Sequence, residues 1–268
     1  MRALISVVAI AGATGCGQQV DHPKAAADCD PSTMKCFSGS LESGSGSGGS
    51  SSQGGSSAGS SETLAKLDGR VVGFSDDFFD RSAAFNGQAS VAADGRSGSR
   101  VEASYDGTSF ELAGVLKTAA NWFLTEPAGN SGFLPTLVAV DTRATTSDQL
   151  LVAVTPTLVI DGILQSLGSS TSTDRAQVVL HVVDDQGRSV TGVTASLSAE
   201  LVAYRTAGVW LSTGASTDDS GLVLIGNATA SSTVTHASVN LGGATSARIE
   251  VAIRAGTTTV VSAVVTPK

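Results

Sequence analysis

Beyond Ser61 the dominant period of the chain is two. Arg248-Ile249-Glu250-Val251-Ala252-Ile253-Arg254 alternates apolar with polar or small residues, as a strand with one buried face requires. Val101 to Tyr105 (VEASY) and Ser109 to Leu112 (SFEL) follow the same rule. Val178 to Val183 (VVLHVV) and Thr259 to Val265 (TVVSAVV) are short β-branched runs that suit central strands. Turn signals recur between the runs at Asp68-Gly69, Asp94-Gly95, Asp106-Gly107, Gln186-Gly187 and Ser220-Gly221. One segment changes period. Thr155 is placed to cap a helix, Pro156 to take its first position, and Ile160, Ile163, Leu164 and Leu167 form a stripe that Gly168 would stop. Leu150 to Val154 reads as a last strand or as an earlier helical turn.

The first sixty residues obey neither period. Met1-Arg2 is followed by the apolar run Ala3 to Gly12, too short to cross a hydrocarbon layer that needs about 20 helical residues. The shape predicts a secretory signal. From Ser38 to Ser61, 20 of 24 residues are Ser or Gly. Such a stretch has no apolar surface to offset backbone ordering and predicts a flexible tether spanning roughly 25–30 Å. Gly44-Ser45-Gly46-Ser47-Gly48-Gly49 and Gly55-Ser56-Ser57-Ala58-Gly59 satisfy the dinucleotide-binding and nucleophile-elbow patterns within this tract. Both patterns draw their meaning from a strand-to-helix turn, which the tract does not supply, so chance composition explains them.

About 200 residues remain, enough for two sandwiches of about 100 each. The expected fold is all-β: two tandem Greek-key β-sandwich modules with one short connecting helix, after a disordered Ser/Gly tether. The expected boundaries are 1–15 for the signal peptide, 16–61 for the anchor and tether, 62–168 for the first module with its helix, and 169–268 for the second, starting in the polar break Ser169 to Thr173.

Two resemblances add to this. Ala13-Thr14-Gly15-Cys16, directly after the apolar run, resembles the lipobox of bacterial lipoproteins, although that family prefers Leu where this chain has Ala13. The resemblance implies that Cys16 becomes the first mature residue and carries acyl chains. The other reading is an ordinary signal-peptidase cut after Ala11-Gly12-Ala13. The chain has three cysteines, an odd count for an exported protein. With Cys16 acylated, Cys29 and Cys36 remain as an even pair that an oxidising compartment would bridge, the alternative being a metal or redox pair. Gly17 and Gln18 lack the Asp that retains enterobacterial lipoproteins at the inner membrane, so the resemblance implies the outer membrane or cell surface of a Gram-negative bacterium.

Further on, Leu67-Asp68-Gly69-Arg70-Val71-Val72 opens a strand, Gly87-Gln88-Ala89-Ser90-Val91 follows, and then comes Tyr105-Asp106-Gly107-Thr108-Ser109-Phe110-Glu111-Leu112-Ala113-Gly114-Val115. This resembles the carboxypeptidase regulatory-like, or transthyretin-like, module, whose hairpin reads D-G-x-F-x-L-x-G-V; Ser109 is an inserted residue. Val182 to Val193 (VVDDQGRSVTGV) and Thr217 to Leu224 (TDDSGLVL) are similar to the same family, and equally to bacterial Ig-like repeats. Both families imply non-enzymatic structural or binding modules, and the carboxypeptidase catalytic domain is absent from this sequence.

Composition narrows the chemistry. Lys+Arg 16 against Asp+Glu 24 gives a net charge of −8, which disfavours nucleic acid because counterion release needs clustered basic residues. The histidines are His22, His181 and His236; the last two sit in strand-like runs, and neither belongs to an H-E-x-x-H motif. No catalytic residue and no cofactor is expected. Among the acidic clusters, which also include Asp184-Asp185 and Asp218-Asp219, a metal ion would best suit Asp76, Asp77 and Asp80, three carboxylates within five positions. Paired Asp at turns is otherwise ordinary turn chemistry. Nine of the twelve aromatics lie between Phe74 and Phe133. Core packing accounts for most of them, but Phe78-Phe79 and Trp122-Phe123 are candidates for a protein- or glycan-binding face, because adjacent residues of a strand point to opposite sides. The expectation is therefore a non-enzymatic, lipid-anchored envelope protein held to the membrane by its anchor. It would display β-sandwich modules to an envelope protein or glycan, with a carbohydrate-binding module or a passive spacer as the alternatives.

Overall fold

The computed structural model describes residues 37–38, 63–76, 79, 81–96, 99–129, 131–145, 150–213, 216–241 and 245–265. Cys16, Cys29, Cys36, Asp77, Phe78 and Asp80 lie outside them. The strands of the first half are β1 (Phe37–Ser38), β2 (Leu64–Gly73), β3 (Ala83–Ala84), β4 (Ala89–Asp94), β5 (Arg100–Tyr105), β6 (Phe110–Leu116), β7 (Asn121–Pro127), β8 (Phe133–Leu134), β9 (Thr136–Val140) and β10 (Leu150–Pro156). Helix α1 (Thr157–Ser166) follows. The second half holds β11 (Arg175–Val183), β12 (Val193–Ser196), β13 (Ala199–Thr206), β14 (Val209–Leu211), β15 (Leu222–Thr229), β16 (Thr235–Leu241), β17 (Thr245–Val251) and β18 (Thr258–Val264). Among the described residues the body is all-β with one short helix, as its period of two predicts.

Three sheets form. The largest runs β14-β13-β15-β11-β18-β9-β7-β4-β5, with β1 also paired to β18. A second runs β3-β2-β10-β8 with β6 on β2, and a third runs β12-β16-β17. The two halves share one closure: β2 is a parallel neighbour of β10, and β11 of β18. They are also joined edge to edge, because β18 pairs in parallel with β9 from Thr258↔Thr136 to Val260↔Val138. The large sheet is therefore continuous across both halves.

That continuity explains the unbroken β-branched runs. In β11, Val178, Leu180 and Val182 enter the core shared with β12, β16 and β17, whereas Val179 enters the core shared with β2, β6, β10 and α1. In β15, Val223 and Ile225 face the former while Leu222 and Leu224 face the latter. A strand covered on both faces reads as a continuous apolar run instead of an alternating one. The outer strand β6, by contrast, alternates Phe110 and Leu112 inward with Glu111 and Ala113 exposed. The core that holds Val71, Phe74 and Leu112 also takes Ala203, Trp210, Leu222, Leu224 and Val260 from beyond residue 169.

Helix α1 docks on this core. Ile160, Ile163 and Leu164 are buried, Leu167 packs partly against them, and Gly168 takes the left-handed φ of +74° that ends the helix. Its start differs from expectation. Pro156 occupies the N-cap and no side chain caps the helix. Thr155 instead belongs to β10, where its backbone N–H donates to Thr136 Oγ1 (2.9 Å) and its hydroxyl lies 3.0 Å from that oxygen. A buried hydroxyl is worth more satisfied inside the sheet than turned to a helix end.

Asp68-Gly69 is the other departure. It lies inside β2, not at a turn, with Gly69 opposite Phe110 on β6 and Leu150 on β10. A β-carbon on Gly69 would stand 2.4 Å from the Leu150 carbonyl oxygen and 2.5 Å from the Phe110 ring. Here Gly marks close approach of two backbones. Gly69→Ala is expected to lower stability by about 1–3 kcal/mol, whereas Gly162→Ala, at an open helical position, is expected to raise it by about 0.5–1 kcal/mol. Urea unfolding of both variants checks this; equal midpoints would contradict the packing described.

Candidate interaction surface

The aromatic pairs separate on the two faces of their strands. Phe123 is fully buried in the first core, while Trp122, half-buried on the opposite face of β7, packs against the core of the second half. Phe79 is also buried, with a left-handed φ of +57°. Its N–H donates to the Asp76 carbonyl (3.2 Å), and its ring meets Phe74 edge-on at 5.5 Å between centroids. Phe85 stacks on Tyr105 at 6.1 Å and meets Phe133 edge-on at 5.1 Å. These rings supply the large buried surface that a core needs. Phe79 and Phe123 present no ring at the surface, and Trp122 works at the seam between the halves, which the Arg254–Glu126 ion pair (3.6 Å) also crosses.

The acidic turns hold their own backbone. Asp184 Oδ1 accepts the N–H groups of Gln186 and Arg188 (both 2.9 Å), and its Oδ2 accepts from Arg188 Nε (2.8 Å). Burial would raise this carboxyl, but these donors outweigh it and hold it below the ordinary range. Asp218 is the same case: burial opposes, while the Ser220 hydroxyl, the Ser220 N–H and the Gly208 N–H bring it down. Asp141, at the end of β9, is lowered against its burial by the side chain and N–H of Arg143. Asp106 accepts from Thr108 and Ser109 in the turn after β5, which lowers it too. Among the described residues no group of three or more His, Cys, Asp and Glu side chains is placed to hold a metal ion. Asp76 is described without Asp77 and Asp80.

His181 lies on β11 between Leu222 of β15 and Ser262 of β18. Its Nε2 is 2.9 Å from Ser189 Oγ. Burial pushes the imidazole down to about 4, and the positive charge of Arg81 adds to this, so the ring is neutral at pH 7. A nucleophilic serine–histidine pair needs an anion to orient the ring and stabilise the imidazolium. The charge next to this ring has the opposite sign. His236 sits exposed on β16 opposite Glu250.

What the surface offers instead is an edge. β14 ends the large sheet, and it turns Trp210 into the core while exposing Val209 (54%) and Leu211 (42%). The β13–β14 hairpin closes through Ala207 (φ +51°) and Gly208 (φ +79°), a two-residue turn matched to the twist of its strands. Gly208 N–H donates to Asp218 Oδ2 (3.3 Å), which ties the hairpin to the loop before β15. Lysine, proline or a bulge commonly protects such an edge; here it carries two aliphatic side chains.

One feature escaped sequence reasoning. Asn227, in β15, has φ +52° and exchanges hydrogen bonds with Gln177 across a bulge in the β11 pairing: its N–H donates to Gln177 Oε1, and Gln177 Nε2 donates to its Oδ1 (both 2.9 Å). Asn227 Nδ2 also donates to Glu200 Oε2 and to the Ser170 carbonyl (both 2.9 Å). The only signal was Gly226 inside an apolar run, a mark of bulges.

No protein-family model matches the chain, and no curated protein matches it. Among solved structures it is similar to the TIE protein of Bacillus anthracis, at 12% identity and a TM-score of 0.22, over 76% of this chain and 34% of that one. It is also similar to a streptococcal ancillary pilin, at 10% identity and a TM-score of 0.23, over 75% of this chain and 68% of that one. The chain spans about a third of the TIE protein's length.

The depressed carboxyls set the acid response. Their stabilisation is complete above the unfolded value of about 4 and is lost as pH falls through the lower folded values. The melting temperature should thus hold between pH 7 and 5 and drop below about pH 4. Asp184→Ala should cost about 1–2 kcal/mol at pH 7 and show a shallower acid drop than wild type. Parallel pH profiles for the two proteins would remove Asp184 from this account.

Proposed function

We propose that this protein is a non-enzymatic, lipid-anchored envelope protein that displays its β body as a contact module at the outer membrane or cell surface. The observation that carries the contact role is β14: the end strand of the large sheet, with exposed Val209 and Leu211, set on a sheet continuous through both halves. An exposed aliphatic pair at such an edge seats against an apolar segment of another envelope protein, with the rigid sheet behind it fixing its position. The turn-bound carboxylates and the neutral, Arg81-flanked His181 support a body built for contact and not for turnover.

Anchoring rests on Cys16 and its resemblance to a lipobox. Several acyl chains on one cysteine would exceed the marginal binding of a single chain. Trp122, packed on the second core, favours the protein-contact reading over a glycan platform, which would need that ring open to solvent.

Two experiments test this. Metabolic labelling with a fatty acid should mark wild type and leave Cys16→Ser unmarked; equal labelling excludes acylation at Cys16. Cross-linking in intact cells should yield an adduct that Val209→Lys with Leu211→Lys abolishes while the melting temperature stays within about 2 °C. An adduct that survives both substitutions moves the contact elsewhere, and an absence of adducts in wild type favours the passive spacer.

A further inference from the structure

One row of side chains on the large sheet is polar where the positions beside it are apolar. Phe123, Val138, Val260 and Val179 enter the first core from β7, β9, β18 and β11. Side chains two positions apart in a strand share a face. Thr125, Thr136, Thr258 and Gln177 therefore face the same core, and the registers Thr125↔Thr136, Thr258↔Thr136 and Gln177↔Thr258 make them direct neighbours across four strands. All four are buried.

The row is unevenly satisfied. Asn227 holds both ends of the Gln177 carboxamide (both 2.9 Å). Thr136 Oγ1 accepts the Thr155 N–H (2.9 Å) and lies 3.0 Å from both the Leu134 carbonyl and the Thr155 hydroxyl. Thr125 Oγ1 and Thr258 Oγ1, one strand away on either side of Thr136, are buried with no hydrogen-bond partner among the described residues. The contrast within one stretch of chain is sharp. Thr257 and Thr259, which flank Thr258, donate to the carbonyls of Arg254 (2.7 Å) and Ala252 (2.6 Å).

A hydroxyl buried in this way forfeits the bonds it makes in water unless something supplies them. Neighbouring strands lie about 4.8 Å apart, so each orphaned hydroxyl is too far from Thr136 for a direct bond. The separation is within the span of about 5.6 Å that one water covers with two bonds of about 2.8 Å. Thr155 Oγ1, against Thr136, has acceptor capacity to spare for such a water. A cation fits the row poorly. Its oxygens are neutral hydroxyls, and among the described residues no three His, Cys, Asp or Glu side chains are grouped to hold a metal. Water can donate and accept, which is what a row of hydroxyls asks for.

We propose that the first core holds two internal water sites, one on each side of Thr136, in which Thr125 Oγ1 and Thr258 Oγ1 are the binding groups. Thr136 and Thr258 form the first of the three pairs that join β9 to β18. The waters thus sit at the joint between the two halves, and the strength of that joint depends on them. The sites hold whether or not β14 is a contact edge.

Oxygen-17 magnetic relaxation dispersion on the full chain counts long-lived waters and is blind to hydroxyl protons. Thr125→Val with Thr258→Val should remove about two of those waters, whereas Thr125→Ser with Thr258→Ser should keep them. An unchanged count in the valine variant overturns the proposal, and so does loss of the waters in the serine variant. Urea unfolding reads the sign independently. With water bound, each single valine substitution should lower the folding equilibrium constant by about fivefold or more; a dry, unpaired hydroxyl would make the valine variant the more stable protein and sink the idea. Wild type alone supplies a third arm that needs no variant to fold. Water-selected NOEs of the sign given by a long-lived water should reach the methyl groups of Thr125 and Thr258, and their absence overturns the assignment.

Discussion

Burial of β11, β15 and β18 on both faces is the constraint from which the rest of the structure follows. Each strand sends alternate side chains into two different cores, Val179 and Leu224 one way and Leu180 and Ile225 the other. The β12-β16-β17 sheet and the β2-β10 sheet with α1 have these strands as a common floor. A polar substitution on either face would uncover a layer and not merely a side chain, because the outer sheets contribute one apolar face each.

Several buried polar side chains inside this framework sit where strands end or slip. Asn121 accepts the Asp94 N–H and donates to the carbonyls of Asp94 and Leu116, joining the ends of β4 and β6 to the start of β7 (each 3.0 Å). Thr142 Oγ1 donates to the Leu116 carbonyl (2.7 Å) and accepts the Thr118 N–H (2.9 Å) at the same end of the body. The Gln177–Asn227 pair does this for the bulge in β15, where Asn227 holds a backbone conformation that side-chain sterics disfavour. Each is a buried group given full hydrogen-bonding partners, which is what allows a sheet packed on both sides to be interrupted at all. The function proposed depends on this rigidity, since a contact edge at β14 is only as well placed as the sheet behind it.

Much of the fold was legible because its signals are local. Arg248 to Val251 and Phe110 to Leu112 alternate, and both are strands; Gly168 ends the helix where the stripe of Ile160, Ile163 and Leu164 ends. Where local chemistry misled, a distant partner had displaced it. Asp68-Gly69 carries turn residues, yet Gly69 serves the approach of Leu150, 81 positions away. Thr155 has a capping side chain, yet Thr136 holds it within the sheet. The candidate aromatics were legible as a pair on opposite faces, but which face is covered depends on Trp122 meeting the second core. The β14 edge left no sequence mark beyond two aliphatic residues flanking Trp210.

The sequence by itself determined the class of the body, its helix, most of its turns and the Ser/Gly composition of the tract before it, because each follows from spacing and residue type within a few positions. Only the tertiary structure decided that both halves share one sheet, that β18 takes β11 on one side and β9 then β1 on the other, and that β14 is left as an end. Strand order is a choice among partners far apart in the chain, made by the apolar area that each pairing buries, and no period within a single strand encodes it.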